Sequence, residues 1–411
     1  MDDSGAVTSP SDSRATGPLT GTVVVDLTRA LAGPHAGMIL GDLGARVIKV
    51  ESPGTGDDTR GWGPPFVTPD GGGAQQSTYF LSCNRNKESI ALDLKSDDGR
   101  ETLTELVRRA DVLLENFRTG VLDRLGFSAE RLLELNPRLV LLSITGFGHD
   151  GPEGGRPGYD QIAQGEGGLM SLTGTGPDDP QRVGVPIADL LAGMYGVHGV
   201  LAALLERERT GRGQVVRTSL LASIVGVHAF QGTRWTVAGE VGRAQGNHHP
   251  SIAPYGLFRC RDGAVQISVG SEGLWRRFCA AFGIDPEAEG LASNAERVAH
   301  RQRVIEVIEA AFADTDAEDL LVRLADAGVP AGKVRTLDEV YTWDQALSQG
   351  LLVDVEHPTL GRVSLPGPPL RFFDRAGDEV TRTAHRTPPL LDQHGDSIRA
   401  WLGGGAEEEA S

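Results

Sequence analysis

Apolar and polar positions follow one rhythm over roughly the first half of this chain and another beyond about residue 240. In the first part, short β-branched runs alternate with amphipathic stretches. "GTVVVDLT", "RVIKVE", "SIALDL", "DVLLENF" and "RLVLLSITGFG" each predict a strand. "PHAGMILGDLGA", "SDDGRETLTELVRRA" and "SAERLLEL" predict helices between them. Pro34 suits a first helical turn, and the Ser and Asp residues opening the second helix offer capping oxygens. Apolar strands separated by helices imply a mostly parallel sheet covered on both faces, an α/β fold.

The stretch "VPIADLLAGMYGVHGVLAALLERERTGRG" predicts a helix apolar around most of its circumference. Ala192, Gly193, Gly196 and Gly199 leave room for close backbone contact, and the charged "ERERTGRG" ends it. Asp189 is the single carboxylate at its start. An ionised Asp in apolar company is costly unless something holds its charge. Later, "YGLFRC" and "AVQISVG" flank "RDG", a hairpin signal, and helical patterns follow at "GLWRRFCAAFG", "RQRVIEVIEAAFA" and "AEDLLVRLADAG". These predict a smaller α+β domain over about 240–335. A helix near "LDEVYTWDQALSQG" and extended segments at "LLVDVEH" and "GRVSLP" close the chain.

Composition narrows this picture. The 411 residues suffice for more than one domain, and 39 Lys and Arg against 56 Asp and Glu leave a formal charge of -17. That balance argues against a nucleic-acid backbone binder, though not against a local basic pocket. Three cysteines, Cys83, Cys260 and Cys279, show no metal spacing and cannot all pair, which predicts a reduced, cytoplasmic setting. No apolar run is expected to reach membrane-spanning length. The ends, residues 1–18 and 403–411, have the composition of disordered segments.

Each candidate for chemistry also has an ordinary reading. Asp189 is a natural N-cap; yet a helix start also stabilises an anion, as a nucleophilic carboxylate requires. Glu51 ends the second strand, where nucleotide-binding folds often hold a ribose-binding acid, or it is a solvated strand end. The glycine fingerprint is missing from the first turn, "TRALAGPHAG", which disfavours a dinucleotide oxidoreductase. Tyr159 and Asp160 in "GRPGYDQIAQ" read as loop packing and capping. His248 and His249 have no partners at metal spacing, so no metal is expected and a polar loop over a cleft is. Cys83, despite Arg85 and Lys87 nearby, reads as structural.

Taken together, the ordered segments from Leu19 to Leu402 resemble the family III CoA-transferases, a group that also includes the alpha-methylacyl-CoA racemases. The carriers are "VVVDLTRALAGPHAGMILGDLGARVIKVESPGTGDDTRGWGPP", "YFLSCNRNKESIALDLKSDDGR", "ADVLLENFRTGVLDRLGF", "LNPRLVLLSITGFGHDGP", "GYDQIAQGEGGLMSLTG" and the stretch around Asp189. The resemblance implies a Rossmann-like large domain built from both chain ends, a smaller inserted domain, and an interlocked homodimer. It divides the chain into residues 19–220 of a CoA-binding domain, a linker at 221–240, a small domain at 241–335 and a return segment at 336–402.

The resemblance further implies that Asp189 is a nucleophile forming an aspartyl mixed anhydride and then an aspartyl-CoA thioester. Coenzyme A is thus a substrate rather than a resident cofactor, and the other partner is a small carboxylic acid, with neither nucleic acid nor membrane involved. CoA contacts carry over to Ala30, Leu31 and Ala32; to Leu92, Asp93, Leu94 and Lys95; to Asn116, Phe117, Arg118 and Arg124; and to Tyr159 and Asp160. Gly246, Asn247, His248 and His249 form a substrate loop, and backbone amides there or near Leu31 and Ala32 are candidate oxyanion donors. The alternative is a racemase acting at the alpha carbon of a 2-substituted acyl-CoA. Racemases carry a His where this chain has Tyr159, and a Tyr is a poor base at neutral pH. The formyl-CoA transferase has a glycine run where this chain reads "GNHHPSIAPYG" and a Gln where it has Leu31. Both departures point away from oxalate or formate and toward a larger, less polar acid.

Overall fold

The computed structural model describes residues 17–404. The expected disordered ends therefore lie, apart from 17–18 and 403–404, outside the described residues. The chain forms two compact units. The first comprises residues up to Gly168, Gly184–Ala229 and Asp344 onward; the second comprises Leu169–Val183 and Phe230–Trp343.

The first unit alternates as its β-branched runs predict: β1 (Val23–Asp26), α1 (Ala32–Asp42), β2 (Arg46–Glu51), β3 (Lys87–Ala91), α2 (Asp97–Arg109), β4 (Val112–Glu115) and β5 (Val140–Thr145). There follow α3 (Asp160–Glu166), α4 (Ile187–Thr210) and β6 (Val215–Ser219). These strands form one parallel sheet in the order β3-β2-β1-β4-β5-β6. The order reverses between β1 and β4, so the loops leaving their carboxyl ends splay apart and open a crevice. Val24, Ile48, Leu113 and Leu142 are fully buried along the strands, as a sheet covered on both faces requires. Ser96 caps α2 by accepting the Gly99 N–H, at 3.0 Å.

In the second unit β7 (Tyr255–Cys260) and β8 (Gly263–Ser268) form the hairpin signalled by "RDG", with Cys260 opposite Gly263. Helices α5 (Glu272–Phe282), α6 (Arg301–Phe312) and α7 (Ala317–Asp326) bury Trp275, Phe278, Ile308, Phe312 and Leu320 against it, and β9 (Ala331–Lys333) adds a third strand. Back in the first unit, β10 (Leu352–His357) and β11 (Gly361–Pro366) pair antiparallel, and α8 (Gly395–Gly404) ends the described chain.

Two expectations change. "LDEVYTWDQALSQG" forms two short helices, Leu337–Tyr341 and Asp344–Ser348, instead of one. And α4, with 24 residues, is long and apolar enough to cross a membrane by length and composition, contrary to the reading that no run reaches that length. Its contacts are those of a packed helix. A Cβ added at Gly193 would stand 2.6 Å from Ala32 O, and one at Gly196 would stand 2.8 Å from Leu142. Glycine at those positions lets α4 lie directly on α1 and β5.

Candidate active site

Asp189 is not the helix cap. α4 begins at Ile187 with Pro186 before it, which places Asp189 in the third helical position. The cap comes from elsewhere: Asp160 Oδ1 accepts the Ala188 N–H at 2.7 Å, while Gln164 Nε2 donates to Asp160 Oδ2 at 2.7 Å. Asp189, relieved of capping, is half-buried, and burial, then the nearby Asp160 charge, pushes its carboxyl up to about 7. The sequence implied a carboxylate kept ionised by the helix start; burial and the Asp160 charge instead favour its neutral form. At neutral pH a large fraction is still carboxylate, and a poorly hydrated one.

Beside it lies the start of α1. Gly193, one turn along α4 from Asp189, faces the first turn of α1, where an added Cβ would stand 2.6 Å from the Ala32 carbonyl oxygen and 3.3 Å from Ala36 N. Leu31 precedes α1 without any side-chain cap, and Ala30 holds a left-handed φ of 65°. The amides of Leu31, Ala32 and Gly33 have no acceptor among the described residues. An uncapped helix start one turn from a carboxylate is a ready anion cradle.

Tyr79 is a site residue that the sequence did not single out. Burial first, and then the field of Asp189, push its hydroxyl up to about 12, so it remains a proton donor. Its neighbourhood with Asp160 and Asp189 comes only from folding, since "STYFLS" carries no chemical signature.

A cleft of about 450 Å³ opens at the carboxyl ends of β1 to β4. It gathers Leu92, Asp93, Leu94, Lys95 and Phe117 from the predicted set. Asn116 lies at its edge and clamps Arg29 from both sides, with Nδ2 donating to Arg29 O at 2.7 Å and Oδ1 accepting Arg29 N–H at 2.9 Å. Arg118 is exposed and has no carboxylate partner among the described residues. Arg124 faces an adjoining cleft of about 430 Å³ with Arg100 and Arg131, and Leu125 lines both. Tyr159 stands 65% exposed immediately before α3.

Glu51 also lines the cleft but is neither a free ribose acceptor nor a solvated strand end. Arg60 Nε and Nη2 donate to it at 2.8 and 2.7 Å, Ser89 Oγ at 2.6 Å and the Asp57 amide at 2.9 Å. Cys83 is buried, which pushes its thiol up to about 11, as suits a structural cysteine.

In the second unit Gly246 N–H donates to Gly174 O at 2.9 Å and His249 N–H to Tyr255 O at 2.9 Å; His248 N–H reaches Gln245 O at 3.4 Å. Of the loop's four amides only Asn247 has no acceptor among the described residues. His249 stacks between Phe230 and Tyr255. Among the described residues, no group of three or more His, Cys, Asp or Glu gathers as a metal would need.

Comparison with known proteins identifies the family. The profile of CoA-transferase family III matches residues 19–395. The chain belongs to CoA-transferase family III. It is similar to the succinyl-CoA:glutarate CoA-transferase of Mus musculus, with 38% identity over 93% of this chain and 86% of that one. It is 42% identical to the succinate–glutarate CoA-transferase of Agrobacterium fabrum, over 82% of this chain and 85% of that one. A solved CaiB/BaiF family protein from Brucella suis is 41% identical, with a TM-score of 0.83 over 94% of this chain and 99% of that chain. This family III chain is therefore an enzyme that transfers CoA between an acyl-CoA and a carboxylic acid.

Proposed function

We propose that Asp189 is the nucleophile of this transfer and that the acceptor is a dicarboxylic acid of four or five carbons. The observation that carries the first part is the juxtaposition of the poorly hydrated Asp189 carboxylate with the uncapped start of α1. Succinate and glutarate in the names of the similar transferases support the second.

The reaction runs in balanced steps. The Asp189 carboxylate attacks the thioester carbonyl of the donor, an oxyanion forms against the Leu31 and Ala32 amides, and CoA leaves as thiolate. The thiolate then attacks the Asp189 carbonyl of the mixed anhydride, releasing the donor acid and leaving an aspartyl-CoA thioester. The acceptor carboxylate attacks that thioester and expels CoA thiolate, which then attacks the acceptor's carbonyl, giving the new acyl-CoA and restoring Asp189. No net proton is consumed, and the activated carboxyl stays on the protein throughout.

CoA is a substrate, not a resident cofactor. Its adenosine end fits the 450 Å³ cleft, with Arg118, Arg124 and Lys95 as cationic partners for phosphate. An interlocked homodimer goes with this assignment and accounts for Met194, Leu205 and Val237 standing exposed at 44%, 72% and 82%. Three free cysteines suit a cytoplasmic setting.

Incubation with succinyl-CoA alone, a hydroxylamine quench and peptide mass spectrometry will place a hydroxamate on Asp189. Asp189→Ala will lose both the mark and the exchange of labelled acid into acyl-CoA. Full exchange by that variant disproves the assignment. A panel of acids from formate to adipate, competed for one donor, tests the acceptor class.

A further inference from the structure

The mechanism leaves two buried cations unused. Lys49 on β2 and Lys87 on β3 have fully buried side chains, and both ammonium groups lie beneath the turn from β1 to α1. Lys87 Nζ contacts Asp26 Oδ2 at 2.9 Å, Pro34 O at 2.8 Å and Asn84 Oδ1 at 2.9 Å. A neutral amine has only two hydrogens to donate, so three acceptors require the ammonium. Lys49 Nζ donates to Thr28 O at 2.8 Å and pairs with Asp57 Oδ2 at 2.8 Å. Burial alone would push Lys49 down, but Asp26, Asp57 and Glu51 more than offset it and hold the ammonium above the ordinary lysine value.

Buried ion networks of this kind are poor sources of stability, because desolvation cancels most of the attraction. What this one supplies is geometry. Nearly every backbone group of the turn is gripped by a side chain. Asp26 Oδ1 accepts the Thr28 N–H at 2.9 Å and its hydroxyl, Lys49 takes the Thr28 carbonyl, and Asp57 Oδ1 accepts the Ala30 N–H at 3.2 Å. Asn116 takes both groups of Arg29, and Lys87 takes the Pro34 carbonyl. Under these restraints Ala30 keeps its φ of 65°, where alanine rarely sits, and the next amides emerge without acceptors.

We propose that Lys49 and Lys87 are positioning residues for the transfer reaction. Lys87 from beneath the turn and Lys49 from the wall of the cleft hold the Leu31 and Ala32 amides where the oxyanion of Asp189 acylation develops. The inference rests on the reading of Asp189 as nucleophile.

Two charge-balanced double variants test it: Lys87→Met with Asp26→Asn, and Lys49→Met with Asp57→Asn. Each keeps an amide oxygen where the turn's N–H needs one. Asp189 acylation is followed by rapid quench and expressed per site counted by the burst of released donor acid. Acylation per site will fall about 10- to 100-fold in both; in the Lys87→Met, Asp26→Asn variant, whose altered residues do not line the cleft, the Kd of free CoA, which forms no oxyanion, changes less than about threefold, while the Lys49→Met, Asp57→Asn variant, whose residues do line it, is read by acylation per site alone. A merely structural role lowers the number of titratable sites, not the rate at each. Acylation per site within about threefold of wild type overturns the inference. If a double variant does not fold, Asn84→Ser removes one acceptor of Lys87 while keeping every charge; acylation per site will fall about threefold or more, and an unchanged rate overturns the inference. If the wild-type label never appears on Asp189, the nucleophile reading has failed; if it appears and the variants acylate normally, only the positioning role has.

Discussion

Folding and the proposed role as nucleophile place opposite demands on Asp189. Its carboxyl, and that of the buried Glu115 on β4, are both raised to about 7 from ordinary values of 3.8 and 4.5, in each case by burial first. The folded chain therefore holds protons that the unfolded chain has already released. The stability these two groups provide is full below their ordinary values and is lost as pH rises through about 7. Asp189→Asn, which mimics the neutral form, will gain stability over wild type as pH rises from about 5 to about 8. The gain is on the order of 2 kcal/mol after allowing for solvent at this half-buried site, measured by urea melts at each pH. Acylation runs the other way: it needs the carboxylate, so its rate will climb about tenfold per pH unit below about 7 and level off above. A profile flat down to pH 5 would exclude Asp189 as the titrating nucleophile. Little of this was legible in the sequence. The position of Asp189 in an apolar run was plain, but the cap that frees it, Asp160, is supplied from a separate helix, and Tyr79 enters only through tertiary packing.

At the scale of elements, the strands and most helices were legible because period and capping agree. Ser96, Ser128 and Ser271 each cap the helix whose start they mark. The small residues of α4 also showed themselves, though not what they meet. Gly193 against Ala32 sets the separation between the start of α4, which carries Asp189, and the α1 amides. Gly193→Ala improves intrinsic helix propensity by about 1 kcal/mol, yet places a methyl 2.6 Å from the carbonyl oxygen of Ala32, the first residue of α1. The net effect will be a loss of about 1–3 kcal/mol, with a fall in kcat larger than any rise in KM, because the helices part at the reacting centre. Gly211→Ala at the left-handed end of the same helix will cost stability without that kcat effect, since nothing lies within 4 Å of its added Cβ. Equal kcat losses in both would show that α4 tolerates no change anywhere and that the Gly193 contact is not special.

For the whole molecule, the last stretch of chain closes the sheet. β3 is one of the two edge strands, and an open edge invites pairing with another chain. Residues 386–394 cover it through many hydrogen bonds. Asn86 N–H donates to Arg386 O at 3.0 Å, Arg386 N–H to Asn86 Oδ1 at 2.8 Å and His394 N–H to Ser89 O at 2.9 Å. Asp392 Oδ1 takes the Ala91 N–H at 2.8 Å, and Arg60 Nη2 reaches Pro389 O at 3.1 Å while holding Glu51 at the cleft. Sequence pattern could not place this segment, because irregular chain paired to an edge has neither helical nor strand period. A chain ending at His385 will therefore bare the β3 edge and slacken the Arg60–Glu51 pair at once. It will elute as aggregate in size-exclusion chromatography, and whatever remains dispersed will bind CoA more weakly. A chain ending at Gly404 keeps every bond named here and will match the full chain in melting temperature and transfer rate. Were the chain ending at His385 to stay dispersed and fully active, edge protection would have to come from another part of the molecule, and the segment would be dispensable to both fold and cleft.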